Sequence, residues 1–210
     1  MNAEHDLLMR MFGRPRGVHG RVGGIIMALT KRRLIFDLIE LLDIQPDDQA
    51  LEIGFGPGVG VAELTKRLPR GFVGGVDPSA AMVHQAHRRN QSAVESGLVT
   101  LERSTADSIP WPDGNFSGAV AVNCVQLWDP IDASVREVAR VLAPAGRFVS
   151  TTHVWAIEKR SPLQQWVSAT SELLSGAGFD QIAHRIVSFR SGKGLVLRAE
   201  KLQLCNRKAP

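Results

Sequence analysis

Apolar and polar side chains recur along this chain with two different periods. The segment RRLIFDLIELLD, residues 32–43, has its apolar positions at helical spacing. QALEIG, residues 49–54, is a short apolar run that is typical of a buried strand. VAELTKRL, residues 61–68, again has helical spacing and ends before Pro69. Helix and strand are therefore predicted to alternate.

The same alternation continues towards the C-terminus. Strands are predicted at residues 72–77, 98–103, 116–125 and 146–155, and helices at residues 79–96, 132–143 and 163–175. Two last strands, near residues 182–189 and 194–204, are joined by the turn SGKG, which is typical of a hairpin. The pattern predicts a doubly wound α/β sheet of seven strands, mostly parallel, with one antiparallel strand near the C-terminus.

Length and composition indicate an ordinary globular protein. The 210 residues suffice for one domain with a sizeable core. Cys124 and Cys205 do not make a disulfide framework, which favours a reducing compartment. No run of about 18 apolar residues predicts a membrane span. Because MNAEHDLLMR has no signal-peptide pattern, we expect a cytoplasmic protein.

Charge is distributed unevenly along the chain. Residues 1–33 carry seven Lys/Arg against two Asp/Glu, and residues 184–210 carry seven against one. The segment between them is acidic, with 11 basic and 18 acidic residues. Basic ends favour binding to nucleic acid or anionic lipid, or they are simply solvated termini of a folded body.

The glycine-rich stretch LEIGFGPGVG, residues 51–60, does not match the common phosphate-binding patterns. In the dinucleotide pattern G-x-G-x-x-G, the third glycine falls on Val59 when counted from Gly54, and on Val61 when counted from Gly56. The phosphate loop G-x-x-x-x-G-K-[ST] fails as well, because no Lys followed by Ser or Thr comes after the glycines. An oxidoreductase that binds a dinucleotide is therefore disfavoured.

The remaining pattern is an acid followed by alternating glycines, between a strand and a helix. Glycine at Gly54 and Gly56 removes a Cβ where a ligand must lie against backbone, and the following helix offers N–H groups to an anion. Asp77 ends the next strand, where a carboxylate can accept hydrogen bonds from both hydroxyls of a ribose. Together these features predict a nucleoside that bears a carboxylate and no pyrophosphate.

These motifs resemble those of the class I S-adenosylmethionine-dependent methyltransferases, especially the small-molecule type that includes the quinone-biosynthesis enzymes. The resemblance covers residues 47–155 and follows the family's motif order through LEIGFGPGVG, GGVDPSAAM, STADSIPWPDGNFSGAVAVNCVQLWDP and REVARVLAPAGRF. The family's Pro-Gly-Gly turn reads Pro144-Ala145-Gly146 here. The resemblance implies a Rossmann-like fold, S-adenosylmethionine as cofactor and S-adenosylhomocysteine as product.

The resemblance also implies roles for individual residues. The expected cofactor-binding residues are Glu52, Gly54, Gly56, Gly58, Asp77, Met82, Ala106, Asp107 and Asn123. Asp77 would bind the ribose, Met82 would lie near the adenine, and Asp107, with Ala106 beside it, would contact the adenine amino group. Asn123 would lie near the methionine end.

Each of these residues also has a structural interpretation. Asp77 can cap the next helix, Asp107 can make local turns, and Asn123 can satisfy backbone groups at a strand end. Glu52 either holds the loop or contacts the methionine amino group, directly or through water. Gly58, with Gly60, either binds the cofactor or only permits the turn.

Methyl transfer from a sulfonium is an in-line displacement, and it needs a general base only when the acceptor must lose a proton. His153, near the end of a predicted strand, is the candidate base, with a structural histidine as the alternative. His19 and Trp128 are expected to line the acceptor site, although Trp128 can instead pack in the core and His19 can lie on a flexible arm. Cys124 is expected to be a buried small hydrophobe. No metal site is expected, because His84 and His87 lack a third ligand.

The sequence thus predicts a cap or lid at residues 1–33 and a single methyltransferase domain at residues 34–210. The acceptor is expected to be a small molecule, and the apolar and basic cap would suit an apolar substrate or a lipid surface. A nucleic-acid methyltransferase is the alternative. Enzymes that methylate exocyclic base amines resemble one another in an Asn/Asp-Pro-Pro-aromatic motif after the fourth strand, but NCVQLW lacks these prolines, and the middle of the chain is acidic. The second alternative is a non-catalytic protein that binds S-adenosylmethionine.

Overall fold

The computed structural model describes residues 32–189 and 192–203, and the side chains of residues 35–188 and 192–203. His19 and nearly all of the predicted cap lie outside the described residues. Among the described residues, no helix is both long enough and apolar enough to cross a bilayer.

Strands and helices alternate as the apolar pattern predicts. The strands are β1 Gln49–Ile53, β2 Phe72–Val76, β3 Val99–Glu102, β4 Phe116–Val122, β5 Leu142–His153, β6 Phe179–Phe189 and β7 Gly192–Lys201. The helices are α1 Arg32–Glu40, α2 Val59–Arg67, α3 Ala80–Arg89, α4 Gln91–Glu95, α5 Ile131–Val141, α6 Val154–Glu158 and α7 Leu163–Gly176, with a 3-10 turn at Val125–Leu127.

The seven strands form one sheet in the order β3-β2-β1-β4-β5-β7-β6. Neighbouring strands from β3 to β5 pair in parallel, whereas β7 runs antiparallel to both β5 and β6. The predicted α/β sheet with one antiparallel strand is confirmed. Because β1 to β5 are parallel, their carboxyl ends lie along one edge of the sheet, where ligands bind in such folds.

Two hydrophobic layers cover the sheet, one on each face. Leu51 packs in the layer that contains Val138 of α5 and Leu174 of α7. Its neighbour Ala50 packs in the opposite layer, with Leu64 of α2. Successive residues of a strand point to opposite faces, so a strand covered on both sides is apolar at every position.

Several predicted boundaries differ from the observed ones, and two of the differences have a visible structural cause. The helix predicted at residues 79–96 is divided at Asn90, whose side chain donates hydrogen bonds to the carbonyls of Gly58 and Ala86. Strand β5 begins at Leu142, four residues before the predicted start. Its pairing with β4 is interrupted between Phe116 and Gly118, which accommodates the turn Pro144-Ala145-Gly146 with Ala145 at φ +61°.

Candidate functional site

The glycine loop follows β1 and folds over the end of β2. Gly54 has φ +69° and Gly56 has φ +52°, values that favour glycine. The amide of Gly54 donates a hydrogen bond of 2.8 Å to the carbonyl of Val76. No described atom lies within 4 Å of the position that a Cβ on Gly56 would take. The loop therefore presents open space at Gly56.

Gly54 faces the protein instead. A Cβ at this position would lie 2.9 Å from both Cβ and Sγ of Cys124. The thiol of Cys124 donates a hydrogen bond of 3.1 Å to the carbonyl of Ile53. The contact explains Gly54 by internal packing. Cys124, which was expected to be buried, is partly buried.

Gly58 is held by the end of α3. Asn90, only 6% exposed, donates a hydrogen bond of 3.1 Å to the carbonyl of Gly58, and Arg89 donates one of 2.8 Å to the carbonyl of Pro57. A Cβ on Gly58 would lie 2.7 Å from the Cβ of Ala86. Sequence reasoning missed Arg89 and Asn90, because the partners of both lie about 30 residues away.

Glu52 lies beneath the first turn of α2. Its side chain is 2% exposed, and a Cβ on Gly60 would overlap its carboxylate. Glycine is therefore required at position 60 because a larger side chain would collide with the buried Glu52, and not only because the chain turns there. This position agrees with the structural interpretation of Glu52, and contact with a methionine amino group stays a prediction.

Asp77 meets the glycine loop at the end of β2. Its Oδ2 accepts a hydrogen bond of 2.9 Å from the amide of Gly56, and its Oδ1 accepts one of 2.9 Å from the amide of Ser79. Burial raises the pKa of this carboxyl, although both backbone hydrogen bonds oppose the shift. Asp77 thus holds the start of α3, and each oxygen keeps a further lone pair for a ribose hydroxyl.

The residues expected around the adenine lie on α3 and in the turn after β3. Met82 is fully buried, Ala106 is buried, and Asp107 is exposed. Two hydrogen bonds of 2.8 Å from Arg140 on α5, to the carbonyls of Ile109 and Trp111, anchor the segment that follows. The turn is thereby tied to a helix, and the adenine contacts stay predictions.

Trp111 belongs to the core of this region. Its ring packs edge to face on Phe116 with a centroid distance of 5.5 Å. Trp128 likewise packs on Phe148, at 6.1 Å, and is partly buried. Core packing accounts for Trp111. For Trp128, a contact with the acceptor stays a prediction.

Asn123 connects the carboxyl ends of β4 and β5. Its backbone adopts φ +55°, and its backbone amide donates a hydrogen bond of 2.7 Å to the carbonyl of Thr151. Its side-chain Oδ1 accepts a hydrogen bond of 3.0 Å from the backbone amide of His153. The strand-end interpretation is thus realised. The Nδ2 atom of Asn123 is buried and has no hydrogen-bond partner in the described part of the chain. It could therefore donate a hydrogen bond to a polar atom of a bound ligand.

His153 lies at the same edge, partly buried at the end of β5. Its ring stacks on Trp155, with centroids 5.9 Å apart and planes 21° apart. Sequence reasoning missed Trp155. Its only signal was an aromatic residue at the end of the predicted strand 146–155, and the structure places it in α6 instead. Within residues 32–189 and 192–203, no group of three or more His, Cys, Asp or Glu side chains is placed to hold a metal ion.

These features fit the expected cofactor. Open space at Gly56 adjoins the buried carboxylate of Asp77, and the Asn123 amide, with a donor to spare, lies at the end of a neighbouring strand. The acid expected to bind the ribose and a hydrogen-bond donor therefore lie along one edge of the sheet. The arrangement can bind a nucleoside and place a second molecule over the ends of β4 and β5.

Comparison with known proteins gives the family. A family model described as a methyltransferase domain matches residues 50–146. The methyltransferase YdaC of Bacillus subtilis is 30% identical over 130 residues, which cover 62% of this chain and 70% of YdaC. YrhH of the same organism is 35% identical over 111 residues, covering 53% of this chain and 61% of YrhH.

A solved structure shares the fold. The methyltransferase from Aquifex aeolicus superposes with a TM-score of 0.65 at 17% identity, covering 84% of this chain and 92% of its own. The sheet order, the glycine loop with its paired acid, and the match to YdaC agree with one another. The chain belongs to the class I S-adenosylmethionine-dependent methyltransferases.

Proposed function

We propose that this protein transfers the methyl group of S-adenosylmethionine to a small hydrophobic molecule bound over the carboxyl ends of β4 and β5. The observation that carries the proposal is the hydrogen bond between Asp77 and Gly56. It fixes an acid against the open side of the glycine loop, at the edge of the sheet where Asn123 links the two neighbouring strands.

The proposed roles follow from these positions. The remaining lone pairs of Asp77 bind the ribose hydroxyls, and the backbone at Gly54, Gly56 and Gly58 lies along the cofactor. Met82, Ala106 and Asp107 surround the adenine. Bound S-adenosylmethionine supplies an activated methyl group, whose bond to sulfur breaks, leaving the electron pair on sulfur, as the bond to the acceptor forms.

The chain's contribution to catalysis is then orientation and exclusion of water. Asn123 holds the ends of β4 and β5 in register, so that the acceptor is aligned with the methyl group. His153 removes a proton if the acceptor atom carries one. Trp128 and, from the proposed cap at residues 1–33, His19 line the acceptor site.

Two relatives support a small hydrophobic acceptor. The fatty-acid O-methyltransferase of Mycolicibacterium smegmatis is 28% identical over 163 residues, covering 77% of this chain and 55% of that relative. The demethylmenaquinone methyltransferase of Symbiobacterium thermophilum is 31% identical over 106 residues, covering 50% of this chain and 42% of that relative. Both names specify hydrophobic small molecules.

A labelling experiment tests the proposal. The full chain is incubated with S-adenosylmethionine that carries a radioactive methyl group and with a cell extract, and label is measured in the organic phase, in nucleic acid and in protein. We expect label in the organic phase, lost in Asp77→Ala. Label in nucleic acid would establish the alternative enzyme class, and no transfer by a protein that binds S-adenosylhomocysteine would establish a non-catalytic binding protein.

A further inference from the structure

Trp155 is a large, half-exposed apolar side chain beside the candidate acceptor site. It is 50% exposed and lies in α6, which begins directly after β5. Its ring stacks on His153, whose amide is hydrogen-bonded to Asn123. Asn123, His153 and Trp155 therefore form a continuous row from the strand ends to the surface. Because the indole of Trp155 is half exposed, it can pack against an apolar ligand.

A cation accompanies this indole. The Nζ atom of Lys159 lies 4.9 Å from the centre of the Trp155 ring. Among residues 32–189 and 192–203, no carboxylate forms an ion pair with Lys159. Such a cation is available to an anion that binds beside the ring.

The charges nearby favour an anion as well. His153 pairs in register with Gly194, so Lys193 lies just beyond the end of β5. Arg160 follows Lys159 and is exposed, and Glu158 is the acid on α6. The residues around the end of β5 and α6 thus include three cations and one carboxylate.

We propose that Trp155 and Lys159 form the acceptor-binding surface and select a hydrophobic carboxylic acid. This inference rests on the proposed methyl transfer. The indole covers the apolar body of the acceptor, and the ammonium group of Lys159 binds its carboxylate. Asn123 Nδ2, buried without a described partner, donates to a polar atom nearer the strand ends. Flat aromatic acids and aliphatic acids share this chemistry, and the test distinguishes them.

The test is calorimetric titration of the full chain saturated with S-adenosylhomocysteine. The probes are 1-naphthoate and decanoate, each with its neutral counterpart, 1-naphthylmethanol and decanol. We expect at least one of the two acids to bind more tightly than its alcohol. Lys159→Gln should weaken binding of that acid roughly tenfold and leave the alcohols unchanged, and Trp155→Ala should weaken the acid and its alcohol by about tenfold or more.

The side chain at position 155 separates the two kinds of acid. A flat aromatic acceptor keeps its affinity in Trp155→Phe and loses it in Trp155→Leu, whereas an aliphatic acceptor keeps its affinity in both. Phe36→Ala is the matched control. Phe36 is 47% exposed with the guanidinium of Arg67 4.5 Å from its ring, and Arg67 ends α2, at the opposite edge of the sheet.

Three outcomes would overturn the inference while S-adenosylhomocysteine still binds. They are that neither acid binds, that the acids bind no better than the alcohols, or that Trp155→Ala has the same effect as Phe36→Ala. A protein that does not bind S-adenosylhomocysteine would instead overturn the proposed function, and this inference with it.

Discussion

Asp77 experiences two opposing effects. Its carboxylate accepts hydrogen bonds from the amides of Gly56 and Ser79, which favour the ionised form. Its burial favours the protonated form, and the net result is a raised pKa. In the proposed complex, ribose hydroxyls that donate to this carboxylate would favour its ionised form and offset part of the cost of burial.

The raised pKa predicts a specific pH dependence. Between the ordinary value of 3.8 and the raised one, the folded chain binds more protons at this site than the unfolded chain, so stability falls as the pH rises through that window. Asp77→Asn removes the titration. We expect Asp77→Asn to become more stable relative to the native chain as the pH rises. The free energy of unfolding of the variant minus that of the native chain, measured by urea unfolding, should be larger at pH 7 than at pH 3.

Glu137 provides the control with the opposite sign. The hydrogen bond from Arg140 lowers the pKa of Glu137 below its ordinary 4.5, so this acid contributes stability above that value and loses it as the pH falls through the lowered pKa. The deficit of Glu137→Gln should therefore shrink in acid. If the stability of Asp77→Asn relative to the native chain were instead lower at pH 7 than at pH 3, as expected for Glu137→Gln, the assignment of the Asp77 pKa would be contradicted.

Gly60→Ala tests the burial of Glu52. Alanine in place of glycine within a helix ordinarily stabilises by roughly 0.5–1 kcal/mol. Here the new methyl group would overlap the Glu52 carboxylate, so we expect a loss of about 1–3 kcal/mol from overpacking, measured by chemical unfolding. Gly176→Ala, at the last residue of α7 with nothing nearby, is the control. Equal stability of the two variants would show that Glu52 moves aside freely.

For individual residues, the sequence predicted which ones come together around the glycine loop, but it did not predict what each of them contacts. The position of Gly54 and Gly56 in a turn after a strand follows from the local pattern. That Gly54 faces Cys124 while Gly56 faces open space depends on β4, some 70 residues away. Asn90, too, shows its purpose only when α3 packs on the loop.

Among the elements, α5 supports the site from a distance. Arg140 donates to the carbonyls of Ile109 and Trp111 and pairs with Asp113, while Glu137 accepts a hydrogen bond from the amide of Ile109. The helix thereby holds the segment between β3 and β4, which begins with the turn that bears Ala106 and Asp107. The conformation of that turn thus depends on a helix that contributes no expected cofactor contact.

Arg140→Met should therefore affect both stability and binding. We expect a loss of about 1–3 kcal/mol in the free energy of unfolding, because two partly buried carbonyls lose their donor. We also expect weaker binding of S-adenosylhomocysteine by calorimetry, since the turn that bears Ala106 and Asp107, the proposed adenine contacts, is no longer held. Arg136→Met is the matched control, because its ion pair with Asp132 is exposed and worth about 0–1 kcal/mol. Unchanged binding by folded Arg140→Met would separate the turn from the cofactor.

Elements were predictable wherever the local pattern determines them. The continuous apolar run of β4 and the helical spacing of α5 are both local. The division between α3 and α4 and the early start of β5 are not, because the first depends on Asn90 bonding to the glycine loop and the second on a bulge against β4.

In the molecule as a whole, one edge of the sheet gathers the functional groups. The parallel strands bring Asp77, Asn123 and His153 to their carboxyl ends, although these residues are up to 76 positions apart in sequence. The prediction of an α/β sheet with one antiparallel strand required only the alternation of strand and helix and a final hairpin, whereas the strand order came from the structure. The proposed acceptor surface at Trp155 required the structure, since a half-exposed indole and a buried one look alike in sequence.

The proposed cap belongs to this scale. Because α1 begins at Arg32, a deletion of residues 1–31 leaves the described helices and strands complete. If these residues close over the acceptor, the shortened chain should bind S-adenosylhomocysteine and unfold cooperatively, yet transfer methyl groups far more slowly. Transfer at the full rate would show that the acceptor site needs no cap.

The central claim is that the glycine loop and Asp77 bind S-adenosylmethionine. Calorimetric titration of the full chain with S-adenosylmethionine, S-adenosylhomocysteine and NADH tests it most directly. We predict micromolar binding of the first two, none of NADH, and a loss of about 1–3 kcal/mol in folded Asp77→Ala. Unchanged affinity in that variant, or tighter binding of NADH, would contradict the account.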